Sequence, residues 1–174
     1  MVAIACLGWG SLIWDPDGLP VGEWHKDGPE LPLEFARLSS RGRVTLVLMP
    51  DGPRVPVLWT LLDVASLEDG EAALRKREGT KPDWIGRWPS VRDDRYACDI
   101  GKWATAKRLD GVVWTGLPPK WGDENGRIPT KDEVLDYLSA LPSEAASEPL
   151  KYIRNAPLQI QTPYRAALAK LVGA

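Results

Sequence analysis

Cys6-Leu7-Gly8-Trp9-Gly10-Ser11-Leu12-Ile13-Trp14 begins as an apolar run and breaks at two glycines, just ahead of the turn signal Asp15-Pro16-Asp17-Gly18. The apolar, β-branched start predicts a buried strand over Val2 to Leu7. Gly8 and Gly10 permit a positive φ and let main-chain amides approach a ligand closely. Consecutive N–H groups facing one concavity form an anion-binding nest, to which Ser11 adds a hydroxyl. The same spacing also suits a plain glycine turn between two strands. A phosphate loop is excluded, because no Gly-Lys-Ser/Thr follows.

Working outward, Asp15 to Leu33 is rich in Gly, Pro and Asp and reads as a loop, and Leu33 to Leu38 reads as extended. Arg43 to Met49 alternates as a strand, Pro50-Asp51-Gly52-Pro53 is a turn, and Val55 to Leu62 is expected to return as its hairpin partner. Ser66-Leu67-Glu68-Asp69 reads as a capping box that opens a helix to Glu78, with Gly79 as its stop. Residues 79–101 show neither helical nor strand period, which suits either a functional lid or a surface excursion anchored by Trp84 and Trp88. Trp103 to Leu109 and Val112 to Leu117 read as strands. Thr130-Lys131-Asp132-Glu133 opens a helix to Leu141, a second helix covers Glu144 to Asn155 with Pro149 as a possible break, and Thr162-Pro163 starts a last one that ends by Gly173. Strands come first and helices last, without a strand-helix rhythm. The expected class is therefore α+β, a small mixed or antiparallel β-barrel with peripheral helices, in one domain over residues 1–174.

Composition narrows the function. The chain has 174 residues, 44% hydrophobic and 26% charged, with a net charge of -2. That balance removes a general electrostatic case for nucleic acid or an acidic membrane, and Arg75-Lys76-Arg77 reads as a solvated basic face. No basic segment precedes the first apolar run, and glycines interrupt it early, so neither a signal peptide nor a membrane helix is expected. Cys6 and Cys98 are far apart and read as reduced thiols of a cytoplasmic protein. With one histidine, His25, and two separated cysteines there is no ordinary zinc site, and His25 has no recognisable nucleophile partner. Nine tryptophans against one phenylalanine, Phe35, predict a tryptophan-filled core, with some left to line a pocket.

Glu78 breaks a local rule. It follows Leu67 by eleven positions and Leu74 by four. At about 100° per residue it lies only ~20° from the direction of Leu67, on the apolar face. It also stands in the last helical turn, where the macrodipole disfavours an anion. Such a carboxylate suits a general base, or else an ion pair with a nearby arginine.

Leu7-Gly8-Trp9-Gly10-Ser11-Leu12-Ile13-Trp14 resembles the YGSL motif of the γ-glutamylcyclotransferase superfamily, closest to its ChaC-like branch, where the loop reads GYGSLIW. Phe35 to Leu46 is similar to that branch's arginine-serine segment, and Leu74-Arg75-Lys76-Arg77-Glu78-Gly79 to its catalytic glutamate region. The tail from Tyr152 to Leu168 echoes the closing segment. The resemblance implies a small mixed barrel and a cofactor-free, metal-free intramolecular aminolysis, in which a γ-glutamyl compound cyclises to 5-oxoproline and expels the attached amine or amino acid. It assigns catalysis to Glu78 and substrate contact to Gly8, Trp9, Gly10, Ser11 and Leu12, with Arg37 and Tyr152 as further contacts and Tyr164 as a pocket candidate. The implied partner is a small γ-glutamyl molecule, glutathione being one option. Trp9 departs from the family, which has tyrosine there, and loses the phenol's hydrogen bond while keeping its stacking surface. A non-catalytic binding or regulatory module on the same fold is the alternative. Binding of single-stranded nucleic acid through Trp and Arg side chains ranks last, given the acidic net charge.

Overall fold

The computed structural model describes residues 2–90, 92 and 94–173. Val91 and Asp93, inside the segment read as a lid or excursion, lie outside the described residues. In chain order the strands are β1 (Ile4–Gly8), β2 (Glu30–Leu38), β3 (Val44–Leu48), β4 (Arg54–Pro56), β5 (Leu58–Leu61), β6 (Ile85–Trp88), β7 (Gly111–Thr115), β8 (Lys120–Trp121) and β9 (Glu124–Asn125). The helices are α1 (Leu67–Glu78), α2 (Ala97–Ala106), α3 (Lys131–Ala140), α4 (Ser143–Asn155) and α5 (Pro163–Leu168). The class is α+β, as expected, with mixed sheets. The chain divides into two compact units, Met1–Leu31 with Pro56–Leu117, and Pro32–Val55 with Pro118–Ala174.

The first unit is built on a four-stranded sheet in the order β5-β1-β7-β6. All five residues of β1 are buried, so its near-continuous apolar run reflects a strand covered on both faces. It pairs antiparallel with β5, Gly8 opposite Leu58, and parallel with β7, Cys6 opposite Val113. β6 adds antiparallel to β7, with Ile85 opposite Thr115. Leu67 and Leu74 of α1 join Ile4, Cys6, Leu62 and Val113 in one core. Ser66 caps α1 by accepting from the Asp69 N–H at 3.1 Å, and Gly79 ends it at φ 59°. That left-handed conformation is why glycine stands there.

Two expectations fail in this unit. Val55 to Leu62 does not return beside β3: it splits, β4 pairing with β2 and β5 with β1. Pro53 and Pro56 have no N–H to give a continuous ladder. Trp103 to Leu109 is not a strand, because α2 already covers Ala97–Ala106. Ile100 and Ala104, four apart, share the buried face, and the Thr105 hydroxyl donates back to the Gly101 carbonyl at 2.8 Å. Residues 79–101 likewise hold more regular structure than their sequence suggested, namely a 3-10 turn over Pro82–Trp84, β6 and the start of α2.

The second unit holds β3-β2-β8-β9, with β4 also on β2. β2 and β3 are antiparallel, with a register shift between Phe35 and Arg37. Thr130 and Glu133 form a reciprocal capping box at α3, and Thr162 caps α5 by accepting from the Arg165 N–H. Pro149 does not break α4. It lies on the buried face with Tyr152 and Ile153, where packing offsets the one hydrogen bond it removes. α5 stops at Leu168, short of the expected end, and turns lead on to Gly173.

Candidate active site

β1 and β7 run parallel, so the chain leaves both strands at the same end of the sheet, and Gly8 and Thr115 are the last residues of their strands. The last turn of α1 brings Glu78 to that end. Its side chain is 14% exposed. Its Oε1 accepts from Nη1 of Arg77 at 2.9 Å and from the Thr115 hydroxyl at 3.2 Å. Among the described residues Oε2 has no partner.

Arg77 extends the cluster to the loop after β1. Its Nη2 donates to the Ser11 hydroxyl at 3.2 Å and to the Asp15 carbonyl at 2.6 Å. Its side chain is 10% exposed, while Arg75 and Lys76 are exposed, so the basic run is not one solvated face. The Nε of Arg77 is buried without a partner. An unsatisfied buried donor costs roughly 1–3 kcal/mol, so the guanidinium is placed for its three outer contacts and not for its own satisfaction.

The loop itself is a turn over residues 11–14, closed by Ile13 N–H to the Gly10 carbonyl at 3.0 Å and Asp15 N–H to the Ser11 carbonyl at 2.8 Å. Neither Gly8 nor Gly10 has a positive φ, contrary to expectation. Gly8 is required by close approach instead, since a Cβ there would lie 2.6 Å from the Trp24 ring. Among the described residues, the N–H groups of Gly10, Ser11 and Leu12 enter no main-chain hydrogen bond. Those donors and the Ser11 hydroxyl stand on the loop that Arg77 ties to Glu78. Trp9 is buried, and Leu12 packs into the core of the unit.

Cys6 lies in the same strand, fully buried. Burial pushes its thiol pKa strongly up, the negative charge of Glu78 adds to this, and Arg77 pulls the other way. Cys6 is therefore an uncharged packing residue and no nucleophile.

The crystal structure of a γ-glutamyl cyclotransferase specific to glutathione, from yeast, is similar to this chain with a TM-score of 0.52 at 15% identity, covering 98% of both chains. The chain has the γ-glutamyl cyclotransferase fold. No protein-family model matches the sequence, nor does any curated protein. Among the described residues no helix is long and apolar enough to cross a membrane.

On this γ-glutamyl cyclotransferase fold, Gly8, Trp9, Gly10, Ser11, Leu12 and Glu78 all fall in the first unit, joined through Arg77. Arg37 and Tyr152 fall in the second. The Arg37 guanidinium donates to the Pro118 carbonyl at 2.7 Å and to Asn125 Oδ1 at 3.2 Å, and burial lowers its pKa. The Tyr152 hydroxyl accepts from the Leu46 N–H at 3.3 Å, and its ring lies under the Arg43 guanidinium. Tyr164 donates from its hydroxyl to the Pro129 carbonyl at 2.8 Å. His25 is exposed and stacks on Trp59 at 4.6 Å. Sequence reasoning missed Arg77 and Thr115. Arg77 lay hidden in a basic run, and Thr115 acquires its place only from the parallel pairing of β1 with β7.

Proposed function

We propose that the chain cyclises a γ-glutamyl compound to 5-oxoproline and releases the attached amine or amino acid, with Glu78 as the base. The observation that carries this is the Glu78 carboxylate, with Oε1 taken by two donors and Oε2 open beside a loop of uncommitted amides.

At neutral pH the substrate's α-amine is an ammonium and cannot attack. Glu78 Oε2 takes one of its protons, and the freed nitrogen attacks the γ-carbonyl carbon of the same molecule, closing a five-membered ring. The carbonyl oxygen becomes an oxyanion that the N–H groups of Gly10, Ser11 and Leu12 can stabilise. The tetrahedral centre then collapses, the bond to the departing nitrogen breaks as Glu78 returns the proton to that nitrogen, and the ring nitrogen sheds its second proton, which the released amine takes up to leave as an ammonium. Both reacting groups belong to one molecule, so the pocket has only to hold the glutamyl arm folded back on itself. Glutathione, other γ-glutamyl amino acids and γ-glutamylamines all present this arm. Two unpaired cysteines suit a reducing cytoplasm as its place of work.

Measuring 5-oxoproline release across a γ-glutamyl panel tests the proposal. Turnover is expected with at least one member, and Glu78→Gln is expected to lower kcat by about 10²–10⁴-fold, the usual worth of a general base. No turnover across the panel, or full activity in Glu78→Gln, overturns it. One observation favours the second reading, a binding module: Arg77 already neutralises Glu78. Tryptophan fluorescence that responds to a γ-glutamyl ligand without product would select that reading.

A further inference from the structure

We propose that Arg77 and Thr115 are positioning residues, which hold one oxygen of Glu78 so that the other takes the proton, and that Arg77 fastens the loop from Gly8 to Asp15 to the same acid. Their part in turnover rests on Glu78 being the base, as proposed above. The clamp itself does not.

A glutamate side chain turns about three bonds, and a free carboxylate exchanges its two oxygens by rotation. Here two donors from different elements, α1 and β7, meet on Oε1, at 2.9 Å from Arg77 and 3.2 Å from Thr115. One contact would leave the group to pivot. Two from separate directions settle both its plane and the identity of the open oxygen. A base held in its working geometry loses less entropy at the moment of reaction.

Arg77 carries the second half of the device. One of its nitrogens is on Glu78 and the other on Ser11 and the Asp15 carbonyl, so a single planar group sets the distance between the acid and the loop. The fork of a guanidinium can span both sides, and the point charge of a lysine cannot. The buried, unpartnered Nε fits a side chain selected for where its two ends reach.

The test uses the full-length chain with Arg77→Gln, Arg77→Lys, Thr115→Val and Thr115→Ser, measured by kinetics and by amide hydrogen exchange. Arg77→Gln is expected to speed exchange of the hydrogen-bonded Ile13 and Asp15 amides at least about tenfold, as the loop opens locally. In turnover it is expected to lower kcat by about 10–100-fold, the worth of a charge-assisted bond, with little change in KM. Thr115→Val, which removes a hydroxyl and keeps the shape, is expected to lower kcat about tenfold, and Thr115→Ser to recover most of that loss. Should Arg77→Gln fail to fold, Arg77→Lys carries the exchange arm and the Thr115 pair the kinetic arm. Unchanged exchange in the Arg77 variants overturns the clamp. A raised KM with kcat intact overturns positioning, because the side chain would then be binding substrate. A wild-type chain with no turnover defeats the Glu78 reading and leaves the exchange result to decide the clamp.

Discussion

Outside the site, Glu34 places a carboxyl group in the interior of the second unit. It is fully buried on β2, with Oε1 accepting from the Phe35 N–H at 2.8 Å and the Thr162 hydroxyl at 2.6 Å, and Oε2 from the Tyr164 N–H at 3.3 Å. Burial pushes its pKa above the usual carboxylate value, and the three donors only partly pull it back. Because the folded value lies above the unfolded one, the protonated acid stabilises the fold at low pH, and this contribution is lost as pH rises through the folded value. Denaturant titrations between pH 4 and 7 are therefore expected to show the wild type losing stability relative to Glu34→Gln, and a difference that stays flat with pH contradicts this. Glu78 stood out because helix geometry put an anion on an apolar face. Glu34 did not, because an acid between Leu33 and Phe35 reads as the solvent side of a strand until the strand proves to be buried on both faces.

Helix α1 carries the site, and its stability is separable into cap and core. Ser66→Ala removes the bond to the Asp69 N–H and is expected to cost about 1 kcal/mol. Leu74→Ala, at a fully buried position one turn before Glu78, is expected to cost about 2–5 kcal/mol, so the core contact outweighs the cap. Urea unfolding of the two variants checks the order, and equal losses would contradict it. Both ends of α1 and α3 and the start of α5 were readable because a cap is a contact within a few residues. The segment Trp103 to Leu109 was misread because its alternation is local, while the burial of Ile100 and Ala104 that makes it helical is not.

At the scale of the molecule, the chain passes between its two compact units after Leu31, Val55 and Leu117. Neither unit is a continuous piece of sequence. A fragment of residues 1–117 keeps β2 and β3 but loses α3, α4 and α5 of the same unit, including the Tyr152 hydroxyl that accepts from Leu46 and the Thr162 hydroxyl that meets Glu34. Circular dichroism during thermal unfolding is expected to show no cooperative transition for the residue 32–55 segment in that fragment. A sharp two-state melt with protected Leu46 and Phe35 amides would contradict this. The amino-acid sequence by itself determined the buried first strand, the glycine break, the helix caps and the inward glutamate, because each depends on side-chain periodicity or on contacts a few residues apart. Only the tertiary structure decided that β1 lies parallel to β7 and that Arg77 spans from Ser11 to Glu78. Pairing partners distant along the chain leave no periodic trace, and a long side chain reaches its partners only once the backbone has brought them near.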